Sequence, residues 1–316
     1  MPEEQTPISS PFNAHSTGYD VVDNLDLTGK TAIVTGGYSG LGLETVRALT
    51  GASATVIVPA RDTERASLAL EGMEGIEVVA MDLTDSASIA AFASGFLARN
   101  IPLPILINSA GVMATPLFRD GDGHEGQFAT NHLGHFRLVT ALWPALVKAR
   151  GARVVSVSSR GHQIAGVDFD DIDYRRRPYD RWVAYGQSKT ANVLFAVELD
   201  RRGKEDGIRA FSLHPGQILT NLARHLSDED IAGFDALDAD GKPIVDPDRG
   251  MKTPEQGAAT SVWAATSPLL AGKGGLYLED CNIAPVHAGD PGRKGVAPYA
   301  MDPAAAARLW EMSDGM

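Results

Sequence analysis

The chain has a single cysteine, Cys281, among 316 residues. An intramolecular disulfide and a cysteine-rich zinc site are therefore excluded, and the composition suits a reducing compartment. Basic clusters are equally scarce. The longest is Arg175, Arg176 and Arg177, against a formal net charge of −12, so the electrostatic footprint of a nucleic-acid binder is missing. No apolar run reaches membrane-spanning length, and the opening stretch MPEEQTPISSPFNAHST lacks the basic and apolar regions of a signal peptide. These absences predict a cytoplasmic chain with neither a membrane nor a nucleic-acid partner. What is present is a hydrophobic fraction of 44% and a charged fraction of 22%, ordinary for a globular protein with a large core.

From Lys30 the pattern becomes regular. Short apolar runs (TAIVTG, ATVIVPA, IEVVAMD, ILINSAG, RVVSVSS, IRAFSLHPG) alternate with helical segments at Leu43 to Thr50, Ser86 to Ala98, Gln127 to Lys148 and Tyr185 to Arg202. Strands apolar throughout and separated by helices predict a doubly wound α/β fold, a parallel sheet with helices on both faces. Neither a repeat nor a low-complexity linker interrupts this region, so one domain is expected over 27–284, preceded by an extension, 1–26, that is loose or draped over the body. The tail, 285–316, carries AAAARLWEM, a short helix expected to close an edge. Two excursions rich in Gly, Pro and Asp, 162–181 and 221–252, read as substrate loops roofing a site.

The first strand runs into TGGYSGLG and then a helix. A turn made by Gly36, Tyr38, Ser39, Gly40, Leu41 and Gly42 lets the backbone approach a pyrophosphate, and the helix N-terminus aims free N–H groups at the anion. The nearby GKT at Gly29 to Thr31 is no P-loop, because Asn24 stands at the required first glycine and the segment precedes its strand. At the end of the second strand Ala60 stands where an acid would hold the ribose of NAD, and Arg61 follows, which suits the extra phosphate of NADP. Arg61 could equally cap the next helix or stack on adenine, and Asp62 could serve a ribose. Asp82, followed by Leu83, is either an adenine acceptor or the N-cap of the helix at Ser86.

In AYGQSKTANVLF, Tyr185 and Lys189 lie one helical turn apart on one face. A neighbouring ammonium is expected to lower the tyrosine pKa from about 10 toward the range of a general acid/base.

Taken in order, TGGYSGLG, PARD, INSAG, TNHLGHF, VVSVSSRGH, YGQSKTANVLFAVEL, HPGQILTNL and TPEQGAAT resemble the short-chain dehydrogenase/reductase family, in the branch of retinol dehydrogenases and light-dependent protochlorophyllide reductases. The resemblance spans Leu27 to Ala284 and implies a Rossmann-type fold. It implies a catalytic tetrad of Asn131, Ser159, Tyr185 and Lys189, with Ser159 preferred to Ser158 because SRGH supplies His162. It further implies that Asn108, Ala110 and Gly111 line the adenosine side of the cofactor, and Pro215, Gly216, Ile218 and Thr220 the nicotinamide side. Ser109 replaces the usual second asparagine, and Ser39 stands where many NADP-dependent members carry a base. The cofactor is expected to be NADP, with NAD as the alternative. A homodimer or homotetramer is expected, paired through the helices at Gln127 to Lys148 and Tyr185 to Arg202.

The implied reaction is ketone or aldehyde to alcohol interconversion by hydride transfer on an apolar or aromatic small molecule. Phe169, Ile172, Tyr174, Trp182, Leu226 and Phe234 are candidates for the roof of its pocket, or else plain packing. Reduction of a carbon–carbon double bond, or cofactor binding without catalysis, are the alternatives. No GxSxG elbow supports a hydrolase, and His132 and His135 lack a third partner for a metal.

Overall fold

Each apolar strand needs cover on both faces, and the chain provides it by crossing over with a helix after nearly every strand. The computed structural model describes residues 4–234, 236–238, 240–287 and 294–316. It contains β1 (Thr31–Val34), α2 (Gly40–Gly51), β2 (Thr55–Ala60), α3 (Thr63–Ala69), β3 (Ile76–Ala80), α4 (Ser86–Ala98) and β4 (Ile105–Asn108), preceded by the short α1 (Gly18–Val22). The second half runs α5 (Gly126–Phe128), α6 (Gly134–Ala141), α7 (Trp143–Lys148), β5 (Ala152–Val157), α8 (Arg181–Gly203), β6 (Ile208–His214), α9 (Asp228–Gly233), α10 (Pro254–Thr266), β7 (Leu276–Glu279), β8 (Asn282–Ile283) and α11 (Pro303–Asp314). The eight strands form one sheet in the order β3-β2-β1-β4-β5-β6-β7-β8, parallel except for β8. The order reverses between β1 and β4, which opens a crevice at the carboxyl ends of the strands.

Two cores fill the two faces. Val34, Val56, Ile107, Val155 and Phe211 pack with Leu49 and Trp263 on one side, while Ile33, Ile57, Leu106, Val154 and Ala210 pack with Phe92, Phe136 and Phe195 on the other. Burial of such side chains contributes roughly 1.5–3 kcal/mol each and fixes the register.

The expected helix over 127–148 is broken. A π turn occupies Ala129–Leu133 and a further break falls at Leu142, the residue before the first turn of α7, which contains Pro144. The amino-terminal arm is tied down: the Gln5 amide donates to the Tyr277 and Ala284 carbonyls, and Ile8 pairs with the Asn282 side chain. It thereby shields the edge next to β8.

The tail helix does something other than close an edge. α11 lies over α8 and α6, with Trp310 against Phe136 (ring centroids 4.9 Å apart) and stacked on Phe195 (5.8 Å). Arg202 binds both Glu311 and the Trp310 ring. α11 thus covers part of the two helices expected to pair with a second subunit. Among the described residues no helix is long and apolar enough to cross a membrane.

The first excursion also departs from expectation. Ile172 and Phe169 join Phe128, Leu194 and Leu309 in a third apolar cluster beneath α11. Tyr174 is buried under the Arg177 guanidinium, 3.8 Å from its ring. These three residues are packing, because the segment spans α8 and α11 instead of roofing the crevice.

Candidate active site

The glycine turn is built by close approach. Gly36 has φ +68°, and a Cβ there would lie 2.9 Å from Ala110 Cα; one at Gly42 would lie 2.3 Å from the Gly36 carbonyl oxygen. Only glycine lets this turn fold against the INSAG turn. Ser39 precedes α2 in extended conformation and makes no side-chain cap bond, so α2 presents its free N–H groups toward the crevice. Tyr38 packs at the edge of the first core.

The INSAG turn is anchored by a residue absent from the expected set. Thr35 Oγ1 accepts the Ser109 and Ala110 N–H groups at 2.9 and 3.0 Å, and meets His135 Nε2 at 2.9 Å. His135 Nδ1 lies 3.0 Å from the Asn131 carbonyl, so Nδ1 carries the proton and Nε2 accepts from Thr35. The threonine just past β1 is thereby linked to the π turn; its signal was the Thr in TGG together with TNHLGHF. His132 turns away to Ser313 Oγ at 2.8 Å, so the two histidines do not converge.

The π turn places Asn131 at the crevice floor. Its side chain accepts from Val112 N at 2.8 Å and donates to the Val112 carbonyl at 3.0 Å and Ser188 Oγ at 2.9 Å. A side chain at Gly111 would fall 3.0 Å from Asn131 Oδ1 and 3.6 Å from Lys189 Nζ.

α8 begins at Asp180, whose carboxylate caps Trp182 and Val183, and it carries Tyr185 and Lys189 into the interior, each 4% exposed. Ser159, just beyond β5, sets its hydroxyl beside the Tyr185 ring: a Cβ on Gly161 would lie 3.4 Å from Ser159 Oγ and 2.6 Å from Tyr185 Cε1. Ser158 is occupied elsewhere, donating to the Lys189 carbonyl at 2.7 Å. Gly161 is required next: a Cβ there would meet Tyr185 Cε1 at 2.6 Å, so the Ser159 turn reaches the phenol only over a glycine.

Electrostatics differ from the expectation for Tyr185. Burial pushes its phenol up to about 12, only partly offset by the neighbouring Ser159 hydroxyl. The same burial pulls the Lys189 ammonium down to about 8. Lys189 Nζ stands 5.7 Å from the Tyr185 ring centroid and donates to the Val157 carbonyl at 3.1 Å. Desolvation therefore outweighs the neighbouring charge.

On the nicotinamide side expected from the sequence, Thr220 packs over Gly40, whose added Cβ would lie 3.3 Å from Thr220 Cβ, and Ile218 meets Leu41 across Gly257. Gly216, after the buried Pro215, has φ +110° and lies against the Lys252 stem. Arg61 is 77% exposed and meets Asp82 Oδ2 at 4.0 Å. Asp82 Oδ1 accepts from Thr84 N and Oγ1. The helix-cap role considered for Asp82 belongs to Asp85, and Asp62 caps α3 by accepting Arg65 N; neither caps through Arg61. Leu83 packs on the second core, its carbonyl facing Gly134.

A dinucleotide fits this surface. Asn108 is 2% exposed, yet both its side-chain polar atoms lack partners among the described residues, which buried amides rarely tolerate. With the glycine cradle, this is a site whose polar atoms await a ligand. Of the second excursion, Phe234 reaches Trp182 (5.7 Å), which in turn edges Tyr185 (6.5 Å). Arg181 holds this segment by a two-contact pair to Asp230 at 2.7 and 2.8 Å.

A family model described as short chain dehydrogenase matches residues 30–231. A Streptomyces lividans protein named "Probable oxidoreductase" is 49% identical over 294 residues, covering 91% of this chain and 97% of that one. Human retinol dehydrogenase 12 is 37% identical over 296 residues, 92% of this chain and 87% of its own. A solved Mycobacterium paratuberculosis protein of uncharacterised function superimposes with a TM-score of 0.72 at 34% identity, covering 93% of this chain and 96% of that one.

Proposed function

From the premise that the chain belongs to the short-chain dehydrogenase/reductase family, in its retinol-dehydrogenase-like branch, and is an oxidoreductase, we propose that it reduces a carbonyl on an apolar or aromatic small molecule. NADP(H) is its preferred dinucleotide. The observation that carries this reading is the buried Tyr185 phenol set between the Ser159 turn and Lys189, whose ammonium stands 5.7 Å from its ring centroid.

In this reading the Gly36–Gly42 turn holds the pyrophosphate at the α2 N-terminus, Asn108, Ala110 and Gly111 face the adenosine side, and Pro215, Gly216, Ile218 and Thr220 border the nicotinamide. Asp82 and Leu83 flank the adenine. Arg61, exposed and in contact with Asp82, meets the 2′-phosphate. The nicotinamide, when bound, supplies or accepts the hydride. Tyr185 Oη gives its proton to the substrate oxygen while Ser159 Oγ hydrogen-bonds the same oxygen and stabilises developing charge. Lys189 hydrogen-bonds the ribose, and Asn131 holds a water on the proton path. Trp182 edges the Tyr185 ring and Phe234 packs on Trp182, and the two supply an apolar wall. We place the protein in the cytosol.

Tyr185→Phe tests the assignment. The variant should fold and bind NADPH with wild-type affinity while losing on the order of 10²–10⁴ in turnover of a carbonyl panel. A wild-type rate would refute the mechanism.

A further inference from the structure

We propose that His162 is a positioning residue for Ser159: its Nδ1–H tautomer holds the Ser159 carbonyl, and the segment around Ala297 and Tyr299 enforces that tautomer. The inference rests on the reading of Ser159 and Tyr185 as the reacting pair.

The tautomer follows from partners whose roles are unambiguous. His162 Nε2 lies 3.0 Å from the Ala297 backbone N–H, which can only donate. His162 Nδ1 lies 2.7 Å from the Ser159 carbonyl, which can only accept. The ring is therefore neutral, with its proton on Nδ1 and a bare Nε2. Protonating Nε2 would set two N–H groups against each other in a site with no solvent exposure. Burial accordingly pulls the ring down to about 4.

The Ser159 carbonyl also accepts the His162 backbone N–H at 3.0 Å, so one residue supplies two donors to one peptide oxygen. Together they fix the Ser159 peptide plane, and with it the direction in which Cβ aims Oγ at Tyr185. His162 is itself clamped. Its carbonyl accepts the Tyr299 hydroxyl at 2.7 Å and Thr190 Oγ1 at 2.9 Å. Thr190 follows Lys189 on α8, so this clamp ties the Ser159 turn to the helix bearing Tyr185. Tyr277 packs on the ring, centroids 5.0 Å apart, with its hydroxyl 3.5 Å from Nδ1, too long to compete with the 2.7 Å bond. The carboxyl-terminal segment thus bears on catalysis through His162.

Asparagine and glutamine separate the two ring nitrogens. In His162→Asn the amide N–H₂ takes the place of Nδ1 and still donates to the Ser159 carbonyl. In His162→Gln the amide oxygen reaches the place of Nε2 and accepts from Ala297, leaving Ser159 with the backbone donor alone. His162→Asn should stay within about threefold of the wild-type kcat, and His162→Gln should lose about thirtyfold, with KM and NADPH affinity unchanged in both. Tyr299→Phe, at a 41% exposed side chain, should fold normally and lose about threefold in kcat. Imidazole ¹⁵N shifts of the wild type at pH 7 should show a protonated Nδ1 and a bare Nε2 on this ring, whatever the activity. Equal losses in the Asn and Gln variants, the reverse order, no loss in either, or an Nε2–H ring would overturn the proposal. Failure of the parent reading looks different: Tyr185→Phe would then turn over at the wild-type rate.

Discussion

Lowering the pH from 6.5 to 5.0 should destabilise this protein by several kcal/mol, because it buries histidines that cannot be charged. His132, His135 and His162 are pulled by burial from 6.5 to about 3, 4 and 4, and His214 well below 6.5. Each is neutral when folded and takes up a proton only on unfolding, so stability present above 6.5 is lost as pH falls toward the folded values. Glu279 acts the other way. Burial raises it to about 7, so the folded state holds one proton that the unfolded chain has released, which strengthens folding as pH falls through the same window. Four buried histidines, with His225 shifted the same way, are opposed by Glu279 and by Glu125, which burial also raises, and leave a net proton uptake by the unfolded chain that grows as pH falls toward 5, each proton worth about 1.4 kcal/mol per pH unit. The loss is comparable to the whole stability of an ordinary domain, about 5–15 kcal/mol. Urea denaturation at several pH values between 7.5 and 5.0, extrapolated to water, measures it. His132→Phe, whose ring would join Phe128, Phe136 and Phe195, should lower the slope by one proton. A flat profile from 7 to 5, or a His132→Phe slope equal to wild type, would refute the reasoning.

Three further outcomes follow from the geometry. With Tyr185 near 12, carbonyl reduction should be insensitive to this group between pH 6 and 9, while alcohol oxidation should rise about tenfold per pH unit; initial rates in both directions decide. Arg61→Ala should weaken NADPH binding about tenfold or more and leave NADH within twofold, read by matched tryptophan-quenching titrations. Trp310→Ala should cost about 3–5 kcal/mol, and the wild type should sediment as a monomer, since α11 occupies part of the α6 and α8 face; a wild-type dimer cross-linked through α8 would contradict this.

The sheet was legible because six strands are apolar throughout and flanked by helical periodicity, a pattern that tolerates few folds. The site was legible because glycines, a serine and a YxxxK pair each demand a particular backbone. Less could be read where a role depends on tertiary neighbours. Nothing in Phe169, Ile172 or Tyr174 distinguishes a pocket wall from a core, and only the path of α11 decides it. The course of α11 over α8 was equally hidden, since an amphipathic tail helix fits any apolar face. Thr35, His135 and His162 are anchors whose partners lie tens of residues away. The Tyr185 titration is not legible in the sequence, because the charge beside it is visible there whereas its burial is not.

The central claim is that the Ser159, Tyr185 and Lys189 constellation manages the proton of a hydride transfer to a carbonyl. The most direct test gives the protein a panel of apolar ketones and aldehydes with nicotinamide-deuterated NADPH and locates the label by mass spectrometry and NMR. Deuterium on the carbinol carbon in the wild type, at a rate largely abolished in Tyr185→Phe, is the predicted result. Deuterium on a carbon of a former carbon–carbon double bond, or transfer to the carbinol undiminished in Tyr185→Phe, would contradict it.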